Sequence, residues 1–255
     1  MKKIFISSLL EDTIILPAET THHVLHVLRH SFQKPIIVAD KNGNHGLYQF
    51  LEEVDGRAVM QIIEYQKVES SQHQIVLVQS FLKGDKFDWV LQKATELNVG
   101  TIYATSTANC VAQYDRKKLH TKKQRWEKII QEASQQCGRY EMPNLVVDMS
   151  VDTILARETS SSCFVAYEDE KGTTLKEALS EKLHKQEDNQ RILIFIGPEG
   201  GFSRNEVEHM VEYGVQPVSL GHNILRAETA AIASMAMIEY EVNLCLLYTS
   251  PSPRD

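Results

Sequence analysis

From residue 75 onward, short apolar β runs alternate with helical patterns, and that alternation leaves few folds open. Runs rich in β-branched and aromatic residues cover 75–78, 101–104, 163–167, 192–196 and 218–220. Helical spacing fills the gaps over 85–97, 122–136, 174–183, 203–213 and 228–242, with Phe87, Val90, Leu91 and Ala94 as one inward face. Parallel strands need crossovers of about this length, and helices supply them. The pattern predicts an α/β domain with a mainly parallel sheet and helices on both faces. Ser203 with Glu206 three residues later predicts a capping box at one helix start.

Residues 1–70 read differently. Short β runs at 14–16, 35–39 and 57–63 are separated by turn residues at 41–44 and 54–56. One helix over 19–30 interrupts them, with Val24, Leu25, Val27 and Leu28 as its apolar face. Many short strands with one helix predict a small β-barrel, and the polar stretch 68–73 predicts the linker.

The 255 residues suffice for one large domain or two smaller ones, and 24% charged with 42% hydrophobic residues is ordinary globular composition. No apolar run approaches the roughly 20 residues needed to span a bilayer. Cys110, Cys137, Cys163 and Cys245 are scattered, which argues against a zinc site or a disulfide framework and fits a reducing cytoplasm. The expectation is a soluble cytoplasmic protein without metal. A net charge of -7 speaks against generic nucleic-acid coating, but a local basic patch matters more than the sum. One such patch runs from Arg116 to Arg125; another collects Lys2, Lys3, His22, His23, His26, Arg29, His30 and Lys34. The bland reading of the first is a solvated helix face.

Two glycine-centred loops follow the last two strands. The first is Gly197-Pro198-Glu199-Gly200-Gly201 after Ile196; the second runs Gly221-His222-Asn223-Ile224-Leu225-Arg226-Ala227-Glu228-Thr229 after Leu220. Glycine lets backbone approach a ligand closely, and the C-terminal ends of strands are where open α/β sheets bind ligands. Neither loop carries the Lys-Ser/Thr of a phosphate loop, and G-x-G-x-x-G is absent, which disfavours nucleoside triphosphates and Rossmann-bound dinucleotides. A plain strand-to-helix turn needs one or two glycines; here three glycines, a proline and an acid sit together. In the second loop Ile224 and Leu225 offer apolar walls for a ring, with Arg226 and Glu228 to orient it. Together they read as a cofactor pocket made largely of main chain.

The run from Ile196 to Ser203 with Glu206, and Leu220-Gly221 with the run from Ile224 to Ala230, resemble the signature of the ribosomal RNA small subunit methyltransferase E family. These are SPOUT-class enzymes that methylate N3 of a uridine in 16S ribosomal RNA. Further matches are Lys93-Ala94-Thr95-Glu96-Leu97, Glu132-Ala133 with Gln136, Arg139 and Pro143, and the early His26-Val27-Leu28-Arg29, so the resemblance extends to Asn243. It implies a PUA-like β-barrel RNA-binding domain over 1–70 and a trefoil-knotted SPOUT α/β domain over 73–244. It also implies S-adenosylmethionine (S-adenosyl-L-methionine) as cofactor, a homodimer, and the small ribosomal subunit as partner. The stretch 246–255 falls outside the pattern and reads as a non-native tail. Two departures stand out: Lys3-Ile4-Phe5 where family members often carry Arg-Tyr/Phe-Phe, and Asn98 where the family has glycine. Lys keeps the charge without the bidentate fork, and Asn tolerates the left-handed conformation next best after glycine.

The same resemblance assigns cofactor binding to Ala166, Tyr167, Gly197, Pro198, Gly200, Gly201, Leu220, Gly221, Ile224, Leu225 and Thr229. Arg226 would stabilise the developing uridine anion, and Glu199 or Glu228 would take its proton. Each acid also has a structural reading: Glu228 as a helix N-terminal carboxylate, Glu199 as a partner of Arg226. Lys3, Arg29, Arg116 and Arg139 are the expected RNA contacts. The rivals are another RNA methyltransferase of the same class and a noncatalytic RNA-binding assembly factor that keeps the fold.

Overall fold

The computed structural model describes residues 3–6, 8–22, 24, 34–40, 43–66, 74–159, 161–183 and 191–249, with side chains to 242. Arg29, the whole 68–73 stretch and residues 250–255 lie outside the described residues. The chain divides into two compact units: Met1–Ser70 with Gln131–Met142, and Ser71–Ile130 with Pro143–Asp255.

The first unit contains β1 (Lys3–Phe5), β2 (Thr13–Ile15), α1 (Ala18–His22), β3 (Ile36–Ala39), β4 (His45–Val54) and β5 (Arg57–Gln66). They form one sheet in the order β1-β3-β4-β5-β2, with β1 parallel to β3 and the other pairs antiparallel. Ile4, Ile14, Leu16, Ile36, Val38, Tyr48 and Met60 fill its core. Asp55 (φ 49°) and Gly56 (φ 71°) are both left-handed between the paired residues Val54 and Arg57, the two-residue hairpin turn that Asp-Gly favours. Strands β1 and β4 were not anticipated. Register shifts at Leu47/Tyr48 and Phe50/Glu52 break the two-residue alternation of β4 and hide it in the sequence.

Lys3 is corrected here. Its side chain is buried, not offered to RNA: Nζ donates to the carbonyls of Gly138 and Arg139, both at 2.8 Å, and lies 3.4 Å from the Tyr140 ring centroid. Burial pushes its pKa down to about 8. The ring of His45 contacts the Tyr140 carbonyl, so the 138–140 stretch is held by two basic side chains of the same unit.

The second unit contains β6 (Gln74–Ser80), α2 (Lys86–Glu96), β7 (Val99–Thr105), α3 (Arg116–Cys137), β8 (Asn144–Val147), α4 (Val151–Arg157), β9 (Ser162–Ala166), α5 (Leu175–Leu183), β10 (Arg191–Ile196), α6 (Arg204–Glu212), β11 (Gln216–Val218) and α7 (Ala227–Thr249). From Gln131 on, α3 belongs to the first unit. The six strands run β11-β9-β10-β6-β7-β8, and every neighbouring pair is parallel. The mainly parallel α/β sheet is as expected. Strand β8 and helix α4 are additional and too short to show a period. Helix α3 starts at Arg116 rather than 122, so the cationic run forms its first half. Helix α7 continues through 246–249, a stretch expected to belong to the tail.

Val76, Val78, Leu193, Phe195, Val207 and Met210 pack together in the core of this unit, each such side chain contributing roughly 1.5–3 kcal/mol by leaving water. The start of β10 is fixed by a buried charge. Glu158, after α4, accepts from Arg191 Nε and Nη2 at 2.7 and 2.9 Å and from the Tyr103 hydroxyl at 2.7 Å. Burial alone would raise the Glu158 pKa, but the Arg191 and Tyr103 hydrogen bonds hold it below the usual carboxylate range.

Candidate active site

Strands β7 and β8 extend the sheet to one side of β6, while β10, β9 and β11 extend it to the other. The connections therefore diverge between β6 and β10, the kind of switch point beside which such sheets bind ligands. Gln79, fully buried at the end of β6, points its amide at the carbonyls of Ile196 and Gly197, 3.4 and 3.3 Å away. It anchors the first glycine loop to the sheet.

The loop itself closes tightly. Gly201 N–H donates to Pro198 O at 2.9 Å, and Gly201 sits at φ 67°. A Cβ on Gly197 would come within 3.0 Å of the Gly201 carbonyl carbon and 3.1 Å of Phe202 N, so only glycine permits this crossing. Asn109, beyond β7, donates its side-chain amide to Gly200 O and Gly201 O at 3.1 and 3.2 Å. The capping box forms as expected: Ser203 accepts from Glu206 N, and Glu206 accepts from Ser203 N. Glu206 also accepts from Ala108 N at 2.8 Å, which ties the helix start to the same neighbouring segment.

The second loop follows β11, which ends at Val218; Ser219 pairs with Thr174 in an isolated parallel bridge. Gly221 has φ 135° and its N–H reaches Ser219 Oγ at 3.3 Å. Ile224 is 80% exposed. Helix α7 then begins, with Glu228 in its first turn.

A cavity joins the two loops. It is lined by Ala166, Tyr167 and Glu168 after β9, by Ile196, Gly197, Pro198, Glu199, Gly201 and Phe202, by Ile224, Leu225, Arg226, Ala227 and Ala230, and by Lys86 of α2. Of the expected residues, Gly200, Leu220, Gly221, Glu228 and Thr229 are not on this lining. The anticipated Glu199–Arg226 pair is absent. Instead Glu199 accepts from Lys83 N at 3.0 Å and pairs with Lys86 at 3.6 Å. Burial would raise the Glu199 pKa, but the Lys83 N–H and the Lys86 ammonium more than offset it and hold the carboxyl below its ordinary range. Lys86, Glu168, Ile196, Phe202, Ala227 and Ala230 line the cavity without having been among the expected site residues; the last four lie within the two signature runs, whereas Lys86 and Glu168 carried no signal.

The family model of the RNA methyltransferase domain matches residues 69–239. The chain belongs to the RNA methyltransferase family. It is 31% identical over 234 residues to ribosomal RNA small subunit methyltransferase E of Bacillus subtilis, covering 91% of each protein. It is 29% identical over 235 residues to the protein of the same name from Buchnera aphidicola, covering 90% of this chain and 88% of that one. Its fold matches the crystal structure of a ribosomal RNA small subunit methyltransferase E from Neisseria gonorrhoeae bound to S-adenosyl methionine, with a TM-score of 0.77 and 25% identity, covering 94% of this chain and 98% of that chain.

In this RNA methyltransferase the expected RNA contacts fall in both units. Arg116 is exposed at the start of α3, beside exposed Lys117 and Lys118. Arg125, further along, is committed to Asp88 and lies 3.6 Å from Asp85. Arg139 is half-buried in the 131–142 segment of the first unit. Among the described residues, no helix is long and apolar enough to cross a membrane, and no cluster of three His, Cys, Asp or Glu could hold a metal ion.

Proposed function

We propose that this chain transfers a methyl group from S-adenosylmethionine to N3 of a uridine in the 16S RNA of the small ribosomal subunit. The observation that carries the reading is the cavity formed by the two glycine loops, after β10 and β11, and by the end of β9. Its make-up fits this cofactor. Ala166, Ile196, Phe202, Ile224 and Leu225 offer apolar surface for an adenine ring, and the main chain of 197–201 and 224–227 offers groups for its polar edge. The carboxylates of Glu168 and Glu199 suit the cationic parts. The names of the Bacillus and Buchnera relatives, and the cofactor in the Neisseria structure, support the same assignment.

When bound, the cofactor supplies a methyl group on a cationic sulfonium. The protein's part is to hold the uracil in line and to favour loss of the N3 proton. Holding donor and acceptor in line contributes up to roughly 7–11 kcal/mol. Arg226 faces the cavity and stabilises the negative charge that develops on the uracil oxygens. Glu199, on the cavity lining, and Glu228, in the first turn of α7 beside it, are the two candidates to accept the N3 proton. Gly200, Leu220, Gly221 and Thr229 then act by shaping the loops rather than by lining the cavity.

Residues 1–70 act in this reading as the PUA-like β-barrel RNA-binding domain and 73–244 as the SPOUT methyltransferase domain. The segment 197–231 forms the knotted half. Support for the knot comes from β11 lying beside β9 at the sheet edge while α7 returns to pack on α2, α5 and the central strands. The enzyme works as a homodimer in the cytoplasm; exposed Trp89 on α2 and exposed Met237 and Tyr240 on α7 are the apolar surface available to a second copy. Arg116 and Arg139 serve RNA binding, and the early Arg29 is kept as a contact from the first unit. Incubation of the protein with methyl-tritiated cofactor and undermethylated small-subunit particles tests the reading. Label in 16S RNA supports it, and label only in transfer RNA or in no RNA overturns it.

A further inference from the structure

We propose that Lys86 is a positioning residue that sets the spacing of the two loops around the cofactor pocket. Lys86 is in the first turn of α2, a helix whose inward face is Phe87, Val90, Leu91 and Ala94. Its ammonium stands between two carboxylates from distant parts of the chain. Nζ is 3.6 Å from Glu199 Oε1, in the first glycine loop, and 3.3 Å from Glu228 Oε2, just after the second. Glu228 Oε2 is buried and has no hydrogen-bond donor; at 3.3 Å the contact with Lys86 is a charge pair without hydrogen-bond alignment. The carboxylate therefore depends on Lys86 for compensation of its charge.

The clamp has a second arm. Glu199 Oε1 also accepts from Lys83 N, three residues before Lys86, so the turn after β6 grips the first loop twice. Lys86 thus joins three walls of one cavity: the start of α2, the loop after β10 and the first turn of α7. Without the ammonium, Glu199 and Glu228 are two carboxylates with no shared counter-charge, and repulsion drives the loops apart. The side chains are 36%, 25% and 17% exposed for Lys86, Glu199 and Glu228, so the pairs are screened less than surface pairs.

The inference rests on the cofactor reading, and binding measurements on the full chain separate the two. In isothermal titration with S-adenosylmethionine, Lys86→Met should lower affinity about tenfold, the scale of one partly buried charge contact. Lys86→Arg should restore most of it, and Lys86→Met should have little further effect in a Glu199→Gln/Glu228→Gln background. Hydrogen exchange without ligand gives an independent readout: in Lys86→Met the amides of both loops should exchange faster while those of β6 and β10 keep their protection. A wild-type chain that binds no S-adenosylmethionine sinks the cofactor reading. Wild-type binding with Lys86→Met of equal affinity and unchanged loop exchange overturns the role of Lys86. Equal losses in Lys86→Met and Lys86→Arg, or faster exchange throughout the sheet, overturn it too.

Discussion

At the residue scale, the proposed role of Arg226 is to serve catalysis rather than cofactor binding. Arg226 lines the cavity, and its proposed work is confined to the charge that develops during transfer. Arg226→Ala should therefore lower the single-turnover rate by about 10²–10³-fold, the usual size for a preorganised charge, while cofactor affinity stays close to wild type. A titration showing that affinity falls as much as rate would move Arg226 into cofactor binding. Asn98 offers a stability test of equal sharpness. It sits at φ 61°, at the position where the family resemblance implies a glycine and where L-residues other than Asn and Asp are strained through their Cβ. Asn98→Ala should cost about 1 kcal/mol and Asn98→Gly little or nothing, read as shifts in the denaturant midpoint. Lys3 teaches the opposite lesson. Its charge and position in the chain suggested an RNA contact, yet carbonyls of the 138–140 segment occupy it. Which partner a lysine finds depends on residues far along the chain, and no local pattern reports that.

At the scale of elements, what was legible followed the strength of local signals. Strand β10 is a continuous apolar run ending in glycine, and α6 carries its own capping box, so both could be read directly. Strand β4 is long, but its bulges erase the alternation; β8 has four residues and no period to detect. Within the site, the glycine loops were legible because glycine and proline mark backbone geometry. Lys86 was not, since its meaning lies in two carboxylates brought to it by the fold. Glu158 is a similar case away from the pocket, tying the end of α4 to Tyr103 of β7 and Arg191 of β10. A carboxyl held below its usual range contributes stability that is complete above its unfolded value of 4.5 and is lost as pH falls through the folded value. Glu158→Gln should cost about 2 kcal/mol at neutral pH. Below pH 4.5 its midpoint should fall less steeply with acid than that of the wild type. Parallel acid limbs for the two proteins would contradict the role assigned to the Arg191 pair.

For the whole molecule, charge distribution outweighs net charge. The chain is acidic overall at -7, yet Arg116, Lys117 and Lys118 stand exposed together at the start of α3. If they bind phosphates, Arg116→Glu/Lys117→Glu/Lys118→Glu should weaken binding to small-subunit RNA. The slope of log affinity against log salt should also become shallower, by about 0.9 for each phosphate no longer neutralised. An unchanged slope would return α3 to a solvated helix face. If the two glycine loops enclose a cofactor whose methyl group goes to a uridine ring nitrogen, 16S RNA gains one modified base. The most direct measurement is nucleoside mass spectrometry of 16S RNA after incubation of undermethylated small-subunit particles with the protein and isotopically labelled S-adenosylmethionine. The expected product is a single new labelled nucleoside, 3-methyluridine, absent from the Arg226→Ala reaction at matched times. Label on a ribose oxygen, on another base, or nowhere in the RNA would contradict it.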